Sequence, residues 1–220
     1  MIKVLKYFAV AAGALLLALI IYLALPIPAE KTPGPVGGVD PSELVWRSVQ
    51  KNKHQFTPGY GLGFSRRRSG WVMLFRPDSL TYYDPAILGV DGKDWSKLGG
   101  VNYFSPWKPS TWPNNRRSAM GVWRSGAEPF TFEVAGYTNL KDGGHRFTKH
   151  VTARAGDRVK IDYDIFKGLA TFELWVNDSA YLSDAIIIDL ERLQINIPPW
   201  HGGDKPAPKA LTFQTVLKVK

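Results

Sequence analysis

Residues 158–176 read RVKIDYDIFKGLATFELWV. Val159, Ile161, Tyr163 and Ile165 fall on every second position, with Lys160, Asp162 and Asp164 between them. After Lys167-Gly168 the alternation resumes: Phe172, Leu174 and Val176 are interleaved with Thr171, Glu173 and Trp175. Successive side chains of a strand point to opposite faces, so a period of two gives one dry face and one wet face. A helix of the same composition would space its apolar residues three and four apart. The Lys167-Gly168 pair supplies the turn, and the two runs read as an antiparallel hairpin with a solvated outer layer.

The same signal recurs on both sides of this hairpin. Short runs rich in aromatic and β-branched residues occupy 71–76, 120–124, 130–136, 147–153, 185–190, 193–197 and 210–219. Asp142-Gly143-Gly144, Ala155-Gly156-Asp157 and Asn177-Asp178 punctuate them. Many short strands without intervening helices predict an all-β fold, an antiparallel, jelly-roll-like β-sandwich. This domain is expected over residues 43–220. Its one helical candidate is 42–53, where Ser42 precedes Glu43, Leu44, Val45 and Trp46 as a cap would.

The N-terminus has a different character. Tyr7 to Leu25 is an uncharged, mostly apolar run preceded by Lys3 and Lys6. As a helix it would span roughly 28 Å, close to the hydrocarbon thickness of a bilayer. It predicts a transmembrane anchor or signal segment over 1–25, with the N-terminus cytoplasmic and the bulk outside. Residues 26–42, with prolines 26, 28, 33, 35 and 41 and Gly37-Gly38, read as a linker. The expected location is therefore the cell membrane, single-pass, with the domain extracytoplasmic. The chain has no cysteine, so no disulfide braces the domain.

Four motifs follow one another in the C-terminal two-thirds: Asp94-Trp95-Ser96-Lys97-Leu98-Gly99-Gly100, then Arg117-Ser118-Ala119-Met120-Gly121-Val122-Trp123-Arg124, then Phe132-Glu133-Val134-Ala135-Gly136-Tyr137, and finally Ile197-Pro198-Pro199-Trp200-His201-Gly202-Gly203. This order resembles a loose group of uncharacterised β-rich bacterial envelope proteins, over roughly residues 71–220. The resemblance implies a β-sandwich and an envelope location, and it brings no catalytic residue with it.

Candidate chemistry lies in three places. The loop 105–115 holds Trp107 and Trp112 among prolines, followed by Asn114, Asn115, Arg116 and Arg117. Exposed indole rings suit stacking on sugars, the asparagines suit hydroxyls and the arginines an anionic group. Glu133, Glu173, Asp162 and Asp164 fall at wet positions, with Trp175 near them; two carboxylates about 5–9 Å apart would suit a glycosidase, and Glu133 and Glu173 are the catalytic candidates. The histidines lack metal-ligand spacing, so neither a metal nor a cofactor is expected. Residues 43–220 carry 25 Lys and Arg against 17 Asp and Glu, a basic balance. Outside the cytoplasm this points away from nucleic acid and toward a glycan, an envelope protein or the membrane surface. The leading expectation is a membrane-anchored, non-catalytic binding or structural module of the envelope that recognises carbohydrate. The alternatives are a sandwich-fold glycan hydrolase or lyase with paired carboxylates, and a protein-interaction subunit of an envelope complex.

Overall fold

The structure, a computed structural model, describes residues 12–18, 21, 39–61, 63–66, 70–105, 107–111, 116–166, 169–191 and 193–220. Its strands, in chain order, are β1 (Val45–Val49), β2 (Phe64–Arg66), β3 (Gly70–Pro77), β4 (Ser96–Phe104), β5 (Ser118–Ser125), β6 (Thr131–Asn139), β7 (His145–Phe147), β8 (Val151–Arg154), β9 (Val159–Phe166), β10 (Leu169–Val176), β11 (Ser179–Ile187), β12 (Leu193–Ile197) and β13 (Leu211–Val219). Short 3₁₀ turns occupy Pro41–Glu43, Pro85–Lys93 and Pro109–Thr111.

The strands form two antiparallel sheets. Sheet A runs β1-β13-β3-β9-β10-β11, and sheet B runs β2-β12-β4-β5-β6-β7 with β8 also paired to β6. The core lies between them. Trp71, Met73 and Phe75 of β3, Ile161 and Tyr163 of β9 and Phe172 of β10 meet Leu98, Tyr103, Trp123, Phe132 and Val134 of sheet B. Tyr103 and Tyr163 join hydroxyls across the sandwich at 3.1 Å. Burying their rings strongly favours folding, and pairing the two hydroxyls avoids the cost of an unmet polar group in the dry interior. The dry face of the hairpin is this core face: Ile161, Tyr163, Phe172 and Leu174 are all fully buried.

Two expectations fall here. The membrane-spanning helix over 7–25 is not found: among the described residues no helix is long and apolar enough to cross a membrane. Of that stretch, 12–18 and 21 are helical and the remainder lies outside the described residues. The single-pass anchor, the membrane partner and the extracytoplasmic location drawn from it are withdrawn. The helix expected over 42–53 is also replaced. Asp40 caps a 3₁₀ turn at Pro41–Glu43, and the chain then enters β1, paired with β13 from Val45↔Thr215 to Val49↔Leu211.

Candidate active site

The outer face of sheet A carries the acidic constellation. In β9, Ile161 and Tyr163 point into the core, so Lys160, Asp162 and Asp164 point out. In β10 the burial alternates from Ala170 to Val176, which places Thr171, Glu173 and Trp175 on the same outer face. Register then brings the acids together. Asp162 lies directly opposite Glu173, Asp164 opposite Thr171, and Lys160 opposite Trp175. Directly opposed residues hold their Cβ atoms about 4.5–5.5 Å apart, so the two carboxyl groups share one locality.

The two carboxyls sit in different surroundings. Glu173 is exposed, whereas Asp162 is 3% exposed. The Lys220 ammonium contacts Asp162 Oδ1 and reaches Asp164 Oδ2 at 2.8 Å. It is positioned by its own backbone, whose N–H donates to the Gly70 carbonyl at 3.0 Å. Asp162 Oδ2 is buried and makes no hydrogen bond. Burial pushes the Asp162 carboxyl above the usual carboxylate range, and the contact with Lys220 opposes that shift only in part. Beside the pair, the Lys160 ammonium sits 3.6 Å from the centroid of the Trp175 ring, a cation–π contact that covers the indole face.

Glu133 is elsewhere. It projects between Phe132 and Val134, both core residues of β6, and so stands on the outer face of sheet B. Stacked sheets lie about 10 Å apart, so Glu133 and Glu173 cannot flank one bond. Glu133 is also committed. Arg124 Nε donates to its Oε2 at 2.6 Å, Arg124 Nη1 donates to the Lys93 carbonyl, and the guanidinium lies 4.5 Å from the Trp95 ring centroid. Elsewhere on that face Met120, Val122 and Ala135 pack with Trp95, Tyr137 and Ile197, Tyr137 donates to Asn139 Oδ1 at 2.6 Å, and Asn139 Nδ2 donates to Ser118 Oγ at 2.8 Å.

Of the loop candidates, Trp107 is 62% exposed. Trp112, Asn114 and Asn115 lie outside the described residues. The Arg116 carbonyl accepts from Asn102 Nδ2 at 2.5 Å, and Arg117, at φ 52°, donates to the Ser110 carbonyl at 3.4 Å. The loop joins β4 to β5 in sheet B, so it does not extend from the acidic face. His201 is fully buried, its Nδ1 is 3.2 Å from Ser96 Oγ, and burial holds its imidazole down at about 4. Among the described residues, no group of three or more His, Cys, Asp or Glu is placed to hold a metal ion. Sequence reasoning put Asp162 on the wet face but not under cover; Lys220, which covers it, lies 58 residues away along the chain.

No protein-family model matches the chain, and no curated protein matches it by sequence. Solved structures do resemble it. An alginate lyase from Klebsiella pneumoniae is 11% identical with a TM-score of 0.49, covering 69% of this chain and 59% of its own. This chain thus spans less than two thirds of that lyase. A Saccharomyces cerevisiae protein of unknown function is 9% identical, TM-score 0.46, over 85% of this chain and 94% of its own. A β-glucanase from Bacillus licheniformis is 11% identical, TM-score 0.42, over 83% and 81%. At such identities no activity carries over to this chain. They do correct the reference drawn from sequence: the structures it resembles include glycan-cleaving enzymes, and the uncharacterised envelope group is set aside. The membrane-anchored module expected from sequence is set aside as well, since no described helix is long and apolar enough to cross a membrane, and its non-catalytic reading gives way to the enzyme proposed below.

Proposed function

We propose that the protein is a glycan hydrolase of β-sandwich fold whose reaction is carried by Asp162 and Glu173. One observation carries the reading: these carboxyls are register partners on one outer face, one buried with a raised pKa and the other open to solvent. Two carboxyls whose environments separate their proton affinities divide the roles of acid and nucleophile. Asp162 in its protonated form gives its proton to the glycosidic oxygen, and Glu173 attacks the anomeric carbon as the leaving sugar departs. Water then cleaves the glycosyl ester, losing its proton to Asp162, which restores both groups. Cβ atoms opposed on adjacent strands stand about 4.5–5.5 Å apart, closer to the short carboxyl spacing of retaining enzymes than to the longer spacing of inverting ones, so retention of anomeric configuration is expected. Trp175 offers a stacking face once Lys160 swings aside, and Lys220 must likewise leave Asp162.

With Asp162 protonated, the carboxylates of Asp164 and Glu173 are balanced by the ammonium groups of Lys160 and Lys220, so the face offers an acidic polymer no net attraction and the expected substrate is a neutral glycan. The test is release of reducing ends from mixed-linkage and other neutral glucans, with alginate alongside. Asp162→Asn and Glu173→Gln should each lower kcat/KM at least about a hundredfold while remaining folded. Unsaturated product from alginate, or full activity in Glu173→Gln, would overturn the assignment.

A further inference from the structure

A pocket lies on sheet A, away from the carboxylate pair. Trp46 of β1 is opposite Gln214 of β13, and Gln214 is opposite Arg76 of β3. The three side chains therefore form one row across neighbouring strands. With Asp78, Pro77 and Gly156 they line a pocket of about 240 Å³. Trp46 is 55% exposed. Such an indole face in water loses the stabilisation that burial would bring. Arg76 is exposed and spends one N–H on the Gly156 carbonyl at 3.3 Å; among the described residues it has no carboxylate partner.

We propose that this pocket binds a single uncharged pyranose ring. An aromatic platform beside a few fixed polar groups is what a sugar ring needs: its C–H face stacks on Trp46, and its hydroxyls meet donors on Arg76 and Gln214 and acceptors on Gln214 and Asp78. The charges in the lining, one guanidinium and one carboxylate, balance, which favours a neutral polyol over an acid. Asp78 is pre-set for the role. Its Oδ1 already accepts from the Thr81 N–H at 2.8 Å and the Thr81 hydroxyl at 3.0 Å, and its Oδ2 from the Thr212 hydroxyl at 3.0 Å. The volume is below the roughly 300 Å³ at which drug-sized ligand sites begin, so it accommodates one ring.

The pocket is separate from the proposed catalytic pair. Val39 and Leu44 pack over Val72, Leu74 and Val216 on the same outer face, so the 39–44 segment lies between the Trp46 row and the Asp162 row. Binding here does not depend on cleavage there.

The full chain is titrated with methyl glucoside, methyl galactoside, methyl mannoside, cellobiose and glucuronate, followed by calorimetry and ligand-observed saturation-transfer NMR. At least one neutral sugar should bind, better than glucuronate. Trp46→Ala should weaken it at least about tenfold, and Arg76→Gln, a conservative change at an exposed site, severalfold. Glu173→Gln should leave the titration unchanged. The proposal is overturned by no binding from any of these sugars, by binding that survives Trp46→Ala, by tighter binding of glucuronate, or by loss of binding in Glu173→Gln. Retained binding in a protein that cleaves no glycan removes the hydrolase and leaves this pocket standing.

Discussion

Asp162 takes its chemistry from burial, held in check by the Lys220 ammonium. Its folded pKa is raised, so the proton is held in a range where an ordinary aspartate has lost it. By linkage, the stability this group contributes is complete below the unfolded value near 3.8 and is lost as pH rises through the folded value. Above that folded value the ionised, buried carboxylate is a cost, so there Asp162→Asn is expected to fold no less stably than the parent while losing activity. Lys220 sets the balance. Its ammonium favours the ionised form, so its removal lets the pKa climb further. In Lys220→Ala the alkaline limb of the kcat/KM profile should therefore move to higher pH, with more Asp162 protonated at a given pH. A pH–rate series on both proteins measures this. An alkaline limb that stays put or moves to lower pH would remove Asp162 as the acid.

The face that presents these groups depends on how closely the two sheets approach. Gly121 of β5 and Gly136 of β6 are register partners pointing at sheet A. A Cβ on Gly136 would stand 2.4 Å from the Phe172 ring, and one on Gly121 2.6 Å from Ile161 Cδ1. Phe172 immediately precedes Glu173, and Ile161 immediately precedes Asp162, so the glycine pair seats the strands that carry the acids. Gly136→Ala should cost about 1–3 kcal/mol by overpacking, read from denaturant midpoints at unchanged m. A neutral result would mean that β10 shifts freely. The β9–β10 hairpin is legible in sequence because each strand has one wet face, and period two survives there. The β10–β11 turn is legible too: Asn177 and Asp178 both take positive φ, as a tight hairpin demands. The stretch that forms β4 gives no such signal. Gly99 and Gly100 and a register shift between Lys97 and Gly99 break the alternation, and nearly every residue is buried on both faces. Nor does local pattern reveal β1, whose partner β13 lies far along the chain and overrides a weak helix signal at Ser42. The sites divide in the same way. Local alternation shows that Asp162 and Glu173 face outward. Their opposition needs register, the cover over Asp162 needs Lys220, and the Trp46–Gln214–Arg76 row needs three strands distant in sequence.

At the scale of the whole molecule the formal charge is +9, yet neither proposed site shares that excess. One is lined by a single guanidinium, Arg76, and a single carboxylate, Asp78, and in the other Lys160 and Lys220 stand among Asp162, Asp164 and Glu173. A strongly basic protein draws anionic polymers to its surface through long-range field, and salt cancels that attraction once the Debye length falls to a few ångströms. Recognition of an uncharged sugar by stacking and hydrogen bonds has no such dependence. Raising ionic strength from about 0.05 to 0.5 M should therefore leave KM for a neutral glucan within about twofold, while retention on an anionic matrix disappears. The two responses separate general basicity from the chemistry of the sites. A KM that climbs steeply with salt would mean that the substrate is drawn in by charge, and a neutral glycan would then be the wrong class.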